Sequence, residues 1–138
     1  MKTPIRKRNA QVWRRAVAGV LLGLTATTAT AAESDAGAES AIGVLRRHCF
    51  ECHGEQQQEG GLRLDQAAAA MQGGDSGPAL VAGAPDQSEL VRRVSLERAN
   101  SEAMPPVGPG LTSEERESLE AWIVSGARWP DAIDAPHW

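Results

Sequence analysis

Residues 49–53 read Cys49-Phe50-Glu51-Cys52-His53. These are the only two cysteines of the chain, and a histidine follows the second directly. On a helical turn, residues at i, i+3 and i+4 lie side by side. Both thiols and the imidazole then face one object. Four chemistries use such a group. A thioredoxin-like redox pair needs a βαβ framework, and the surrounding pattern is helix and loop. A zinc site would recruit His48, Cys49, Cys52 and His53, yet structural zinc usually draws its ligand pairs from two separated segments. A plain disulfide would use the cysteines and leave His53 without a role.

The fourth chemistry uses all three residues. C-x-x-C-H is the attachment pattern of c-type haem: two thiols add across the haem vinyl groups, and the histidine reaches the iron from the same side. Covalent bonds would hold one haem in a core too small and too poor in aromatics to retain it by packing alone. The sixth ligand is open to three residues, Met71, Met104 and His137. Met104 is favoured, because Met104-Pro105-Pro106 lies in a stiff irregular loop able to cross the far face of the ring, and His/Met ligation is a known cytochrome pattern. Met71 reads as a packing residue in an alanine-rich helix, and His137 as a tail residue. The iron could instead keep water or an open position. His48 reads as a neighbour of the site. Arg63 is a candidate partner for a haem propionate. The carbonyl that fixes the second ring nitrogen of His53 is expected from Gly60-Gly61.

Outward from the motif, Ala41, Ile42, Leu45, Cys49 and Cys52 share one helical face, with Arg46, Arg47 and Glu51 pointing elsewhere. Residues 33–39 read as a short mobile start. Gly60-Gly61 ends any helix, and residues 62–64 read as extended. Asp65 is expected to cap a short helix over residues 66–71, stopped by Gly73-Gly74. GGDSGP at 73–78 is turn-rich; it lacks the lysine and following helix of a phosphate loop. Asp86 with Glu89 predicts a helix that buries Leu90, Val91 and Val94 and leaves Arg92 and Arg93 outside. Residues 99–110 are loop. Thr112 with Glu115 is a second capping box. It opens a helix carrying Leu119, Trp122 and Ile123 and ending at Gly126. Glu114, Glu115 and Glu117 suit the helix start and are given no catalytic role. Trp122 is the core candidate among Trp122, Trp129 and Trp138.

The 138 residues suffice for one small domain. One Phe, four Trp and no Tyr argue against a large β-sandwich. Residues 1–32 hold six basic residues and no acid, around the apolar run AVAGVLLGL at 16–24 and the small-residue stretch TATTATAA. That order reads as a signal peptide, with cleavage near Ala32. The apolar run is shorter than the roughly 20 residues of a membrane span, so a retained anchor is the second reading. Export, to the periplasm or beyond, is therefore expected. Residues 33–138 carry eight arginines against eighteen acids, a net charge of −10. Such a body repels nucleic acid and suits a basic redox partner met through a salt-sensitive encounter.

The chain resembles the planctomycete-type cytochrome c domain. The matching pieces are HCFECHG at 48–54, GGLRLD at 60–65, GGDSGPAL at 73–80, GAPDQSELVRRV at 83–94, MPP at 104–106, LTSEE at 111–115 and LEAWIVSGARWP at 119–130. The resemblance implies an all-α, small cytochrome c-like fold of three to five helices around one haem, with the first and last helices packed together and long Gly/Pro-rich loops. It implies a haem domain over 33–138 with a tail from about 131. Cys49 and Cys52 would bind haem covalently, with His53 the proximal and Met104 the distal ligand. The haem domain of this family often opens a longer chain, whereas this chain ends soon after Trp129-Pro130, so its redox partner is expected in trans. The function implied is a single-electron carrier rather than an enzyme. A haem-based gas sensor, a thiol–disulfide enzyme and a haem subunit of a larger oxidoreductase are the alternatives.

Overall fold

The computed structural model describes residues 31–130. Residues 1–30 of the expected leader, the tail from 131, His137 and Trp138 lie outside the described residues. Four α-helices are present: α1, Ala31–His48; α2, Ala67–Gln72; α3, Glu89–Val94; and α4, Ser113–Val124. Short 3-10 turns occupy Glu59–Gly61 and Pro85–Gln87. Among the described residues there is no strand, and His53 with Gln58 and Gly74 with Gly77 form isolated bridges. No described helix is long and apolar enough to cross a membrane. Among the described residues the architecture is all-α, and its four α-helices fall within the expected three to five.

The helix α1 takes in residues 33–39, expected from their composition to be a mobile start. Alanine and glutamate are strong helix formers, and Ala38 is buried against the core at 4% exposure. The apolar stripe Ala41, Ile42, Val44 and Leu45 packs on α4 through Leu119, Trp122 and Ile123. The Ser118 hydroxyl bonds the Ser40 hydroxyl across the pair at 3.0 Å. Trp122 is fully buried and its Nε1 donates to the Arg128 carbonyl at 2.7 Å. Trp129 meets it edge to face, with centroids 5.5 Å apart, a favoured aromatic geometry.

Two expected caps are replaced. Asp65 is engaged by the Arg63 guanidinium fork at 2.7 and 3.1 Å, so α2 starts behind Gln66 with no side-chain cap. Asp86 falls inside the 3-10 turn, and Ser88 becomes the N-cap residue of α3. The buried Ser88 hydroxyl accepts from Val81 N–H (2.9 Å) and donates to the Ala84 carbonyl (3.0 Å), bracing that turn. Glu89 turns instead to Arg92 and Arg93.

The capping box of α4 is present as expected. Thr112 Oγ1 accepts from Glu115 N–H at 3.2 Å, and Glu115 Oε2 accepts from Thr112 N–H at 3.0 Å. The other Glu115 oxygen accepts from His48 (2.9 Å) and Arg47 (3.2 Å) at the end of α1. One carboxylate thus caps α4 and ties it to α1. The Thr112 N–H and then the His48 bond hold its pKa down to about 2, from 4.5. A depressed folded-state pKa gives stability that is whole above 4.5 and lost as pH falls towards 2. Glu115→Gln keeps a capping-box residue but removes the charge facing His48 and Arg47; it should cost about 0.5 kcal/mol at neutral pH and flatten the acid limb of urea unfolding. A limb as steep in the variant as in the wild type refutes that role.

Candidate functional site

Cys49, Cys52 and His53 sit in a turn just beyond α1, not on a continuous helix. Cys49 N–H and Phe50 N–H both donate to the Leu45 carbonyl, at 2.8 and 3.1 Å, and the chain then leaves the helix axis. The Cys49 carbonyl accepts from Cys52 N–H (3.2 Å) and His53 N–H (2.8 Å). These turn bonds supply the i, i+3, i+4 neighbourhood that helix periodicity led us to expect. All three residues are half-buried and line one cavity of about 350 Å³. Met104, 51 residues further on, lines it too. Met71 does not line this cavity: its side chain is 37% exposed, against the packing role expected of it.

The cavity walls are apolar where they are deepest, at Leu64, Ala79, Leu90 and Val94, all buried. A second wall is the loop 74–77, pressed against the loop at Gly60. The Gly60 carbonyl accepts from Asp75 N–H at 2.8 Å. A Cβ on Gly74 would lie 2.4 Å from that same carbonyl oxygen, so only glycine permits the approach. The third wall is the segment Met104–Val107. Met104 N–H donates to the Arg93 carbonyl at the end of α3, at 3.1 Å.

His53 is held through its backbone, its carbonyl accepting from Leu64 N–H at 2.7 Å. Its ring Nδ1 is buried with no hydrogen-bond partner. The Gly60 carbonyl, in the segment expected to supply one, is taken by Asp75. Among the described residues no polar group engages this imidazole, which leaves it available as a ligand. The two thiols are free. Burial, with Cys52 adding to it, pushes the Cys49 thiol up to about 12. Thiol–disulfide enzymes need the reverse, a depressed thiol pKa. His48 turns to Glu115, and no described group of three or more His, Cys, Asp or Glu gathers to hold a metal ion. The zinc reading therefore lacks its fourfold cluster.

Arg63 is bound to Asp65 and lies away from the cavity. Arg93, expected to point outward, lines the cavity and is the one cation among its Lys and Arg positions in the described residues. Its Nε donates to Glu89 Oε1 at 2.7 Å and its Nη2 to Ser76 Oγ at 3.0 Å. The salt links to Arg92 and Arg93 hold the Glu89 carboxyl at about 2. Helical spacing already grouped Arg93 with Leu90, three residues back, and with Glu89, four residues back; its charge argued misleadingly for solvent.

The donor set fits a covalently held haem. Two thiols, one unengaged imidazole and one thioether face a space with apolar depth and a single guanidinium that matches a propionate carboxylate. Searches of curated proteins and of solved structures find no match to the chain. Residues 49–108, a segment that opens at the first cysteine and closes behind the Met104 loop, match the family model of planctomycete cytochrome C.

Proposed function

We propose that the protein is an exported monohaem c-type cytochrome that carries single electrons between redox proteins. The convergence of Cys49, Cys52, His53 and Met104 on one cavity carries this reading. A haem bound there supplies a ferric/ferrous couple. Cys49 and Cys52 hold its ring through thioether bonds. His53 and Met104 would supply the ligands to its iron and leave little room for water or gases. Leu64, Ala79, Leu90 and Val94 would exclude solvent from the ring, and Arg93, held by Glu89 and Ser76, would be the cation available to a propionate. Keeping both axial side chains in place through the redox change keeps reorganisation small, which suits a carrier better than a gas sensor. The basic, apolar and small-residue order of residues 1–32 supports export.

The acidic body suits a partner with a basic docking face. Protein matured in a host that attaches haem should show, after denaturation, the mass of one added haem and a c-type pyridine spectrum. It should titrate as one reversible one-electron couple, and its exchange with a basic redox protein should slow as salt rises. Intact mass without added tetrapyrrole overturns the reading, and salt-independent exchange overturns the docking part.

A further inference from the structure

The segment between α3 and α4 contains no regular element, so the position of Met104 depends on individual cross-links. On its N-terminal side these are backbone bonds: Met104 N–H to the Arg93 carbonyl (3.1 Å) and Ala103 N–H to the Asn100 carbonyl (3.0 Å). On its C-terminal side the chain runs Pro105-Pro106-Val107-Gly108-Pro109, where three residues lack an N–H. Val107 is 79% exposed, so it packs little. One side chain spans this stretch. Arg98 Nη1 donates to the Pro105 carbonyl at 2.8 Å and Nη2 to the Gly108 carbonyl at 3.1 Å. Gly110 makes room for it: a Cβ there would lie 3.1 Å from Arg98 Cδ, and its φ of +84° also favours glycine.

We infer that Arg98 is a positioning residue for the distal axial ligand, a strap that keeps the Met104 thioether on the iron. The inference rests on the reading of Met104 given above. A planar guanidinium ties two points of the loop with little loss of its own freedom. Without it, the loop gains backbone entropy, and the sulfur spends more time away from the metal. Arg98 is exposed and lies outside the buried core. Its removal should therefore act on ligation more than on folding.

The test uses holoprotein with Arg98→Ala, Arg98→Lys, Met104→Ala and the Arg98→Ala/Met104→Ala pair. Free imidazole is the probe, since it competes with the thioether for ferric iron. Arg98→Ala should bind imidazole about tenfold more tightly, equivalent to ~1.4 kcal/mol, and weaken the thioether-to-iron charge-transfer band. Arg98→Lys, with one ammonium in place of the fork, should recover part of both. In the Met104→Ala background, Arg98→Ala should leave imidazole affinity unchanged, whereas a general loosening of the fold would shift both backgrounds alike. Wild-type imidazole affinity in Arg98→Ala, beside tight binding in Met104→Ala, overturns the strap alone. A Met104→Ala protein that keeps the band and the wild-type affinity overturns the ligand reading and the strap with it.

Discussion

Replacing Cys49 and Cys52 together by Ser is expected to give a chain with no covalent haem and no cooperative thermal transition. The cavity between these residues and Met104 measures about 350 Å³ and is walled by Leu64, Ala79, Leu90 and Val94. Cavities in protein cores cost about 24 cal/mol per Å³. At that rate an unfilled space of this size costs at most about 8 kcal/mol, and water entering its polar rim lowers the figure. Whole domains are stable by about 5–15 kcal/mol. The loss is therefore comparable to the total. The packing of α1 on α4 lies outside the cavity and would survive locally, giving residual helix without a sharp transition. Intact mass and circular dichroism on heating, beside holoprotein from the same host, check both parts. A pigment-free Ser variant that melts with the holoprotein refutes the expectation.

Met104→Ala should lower the midpoint potential by ~0.2 V, part of the ~0.8 V that axial ligands command in haem proteins. A thioether favours ferrous iron, so its loss stabilises the ferric form. The reduced variant should bind CO rapidly, while the wild type resists it. Met104 is half-buried and packs against the core, so truncation also removes contacts. Met104→Leu separates the two effects, keeping an apolar side chain with no donor atom. The two variants should agree in potential and differ in melting temperature. A midpoint and spectrum unchanged in both would remove Met104 from the iron.

Much of the helical layout was legible because it rests on local rules. The Thr112/Glu115 box is a reciprocal bond between residues three apart, and Leu119, Trp122 and Ile123 repeat at helical spacing. The double glycine at 60–61 and the prolines of 104–109 mark loops for equally local reasons. The misreadings involve competition between partners. Asp65 was a plausible cap until Arg63, two residues back, took both its oxygens. Residues 33–39 read as mobile because nothing local shows that Ala38 meets the core. Arg93 was placed in solvent by its charge, although Glu89 and Ser76 satisfy it at the cavity wall.

By itself the sequence determined the attachment motif, the candidate axial pair and the all-helical character, because spacing along a chain controls which neighbours share a turn. The tertiary structure alone decided that the turn at 49–53, the loop at 74–77 and the Met104 segment close on one cavity. It also decided that His48, at the cavity wall, bonds Glu115 of α4 and that Arg98 clasps the loop beyond Met104. Those contacts join residues separated by 7 to 67 positions in the chain. Their formation depends on how packed elements bring donors and acceptors together, which no local periodicity encodes.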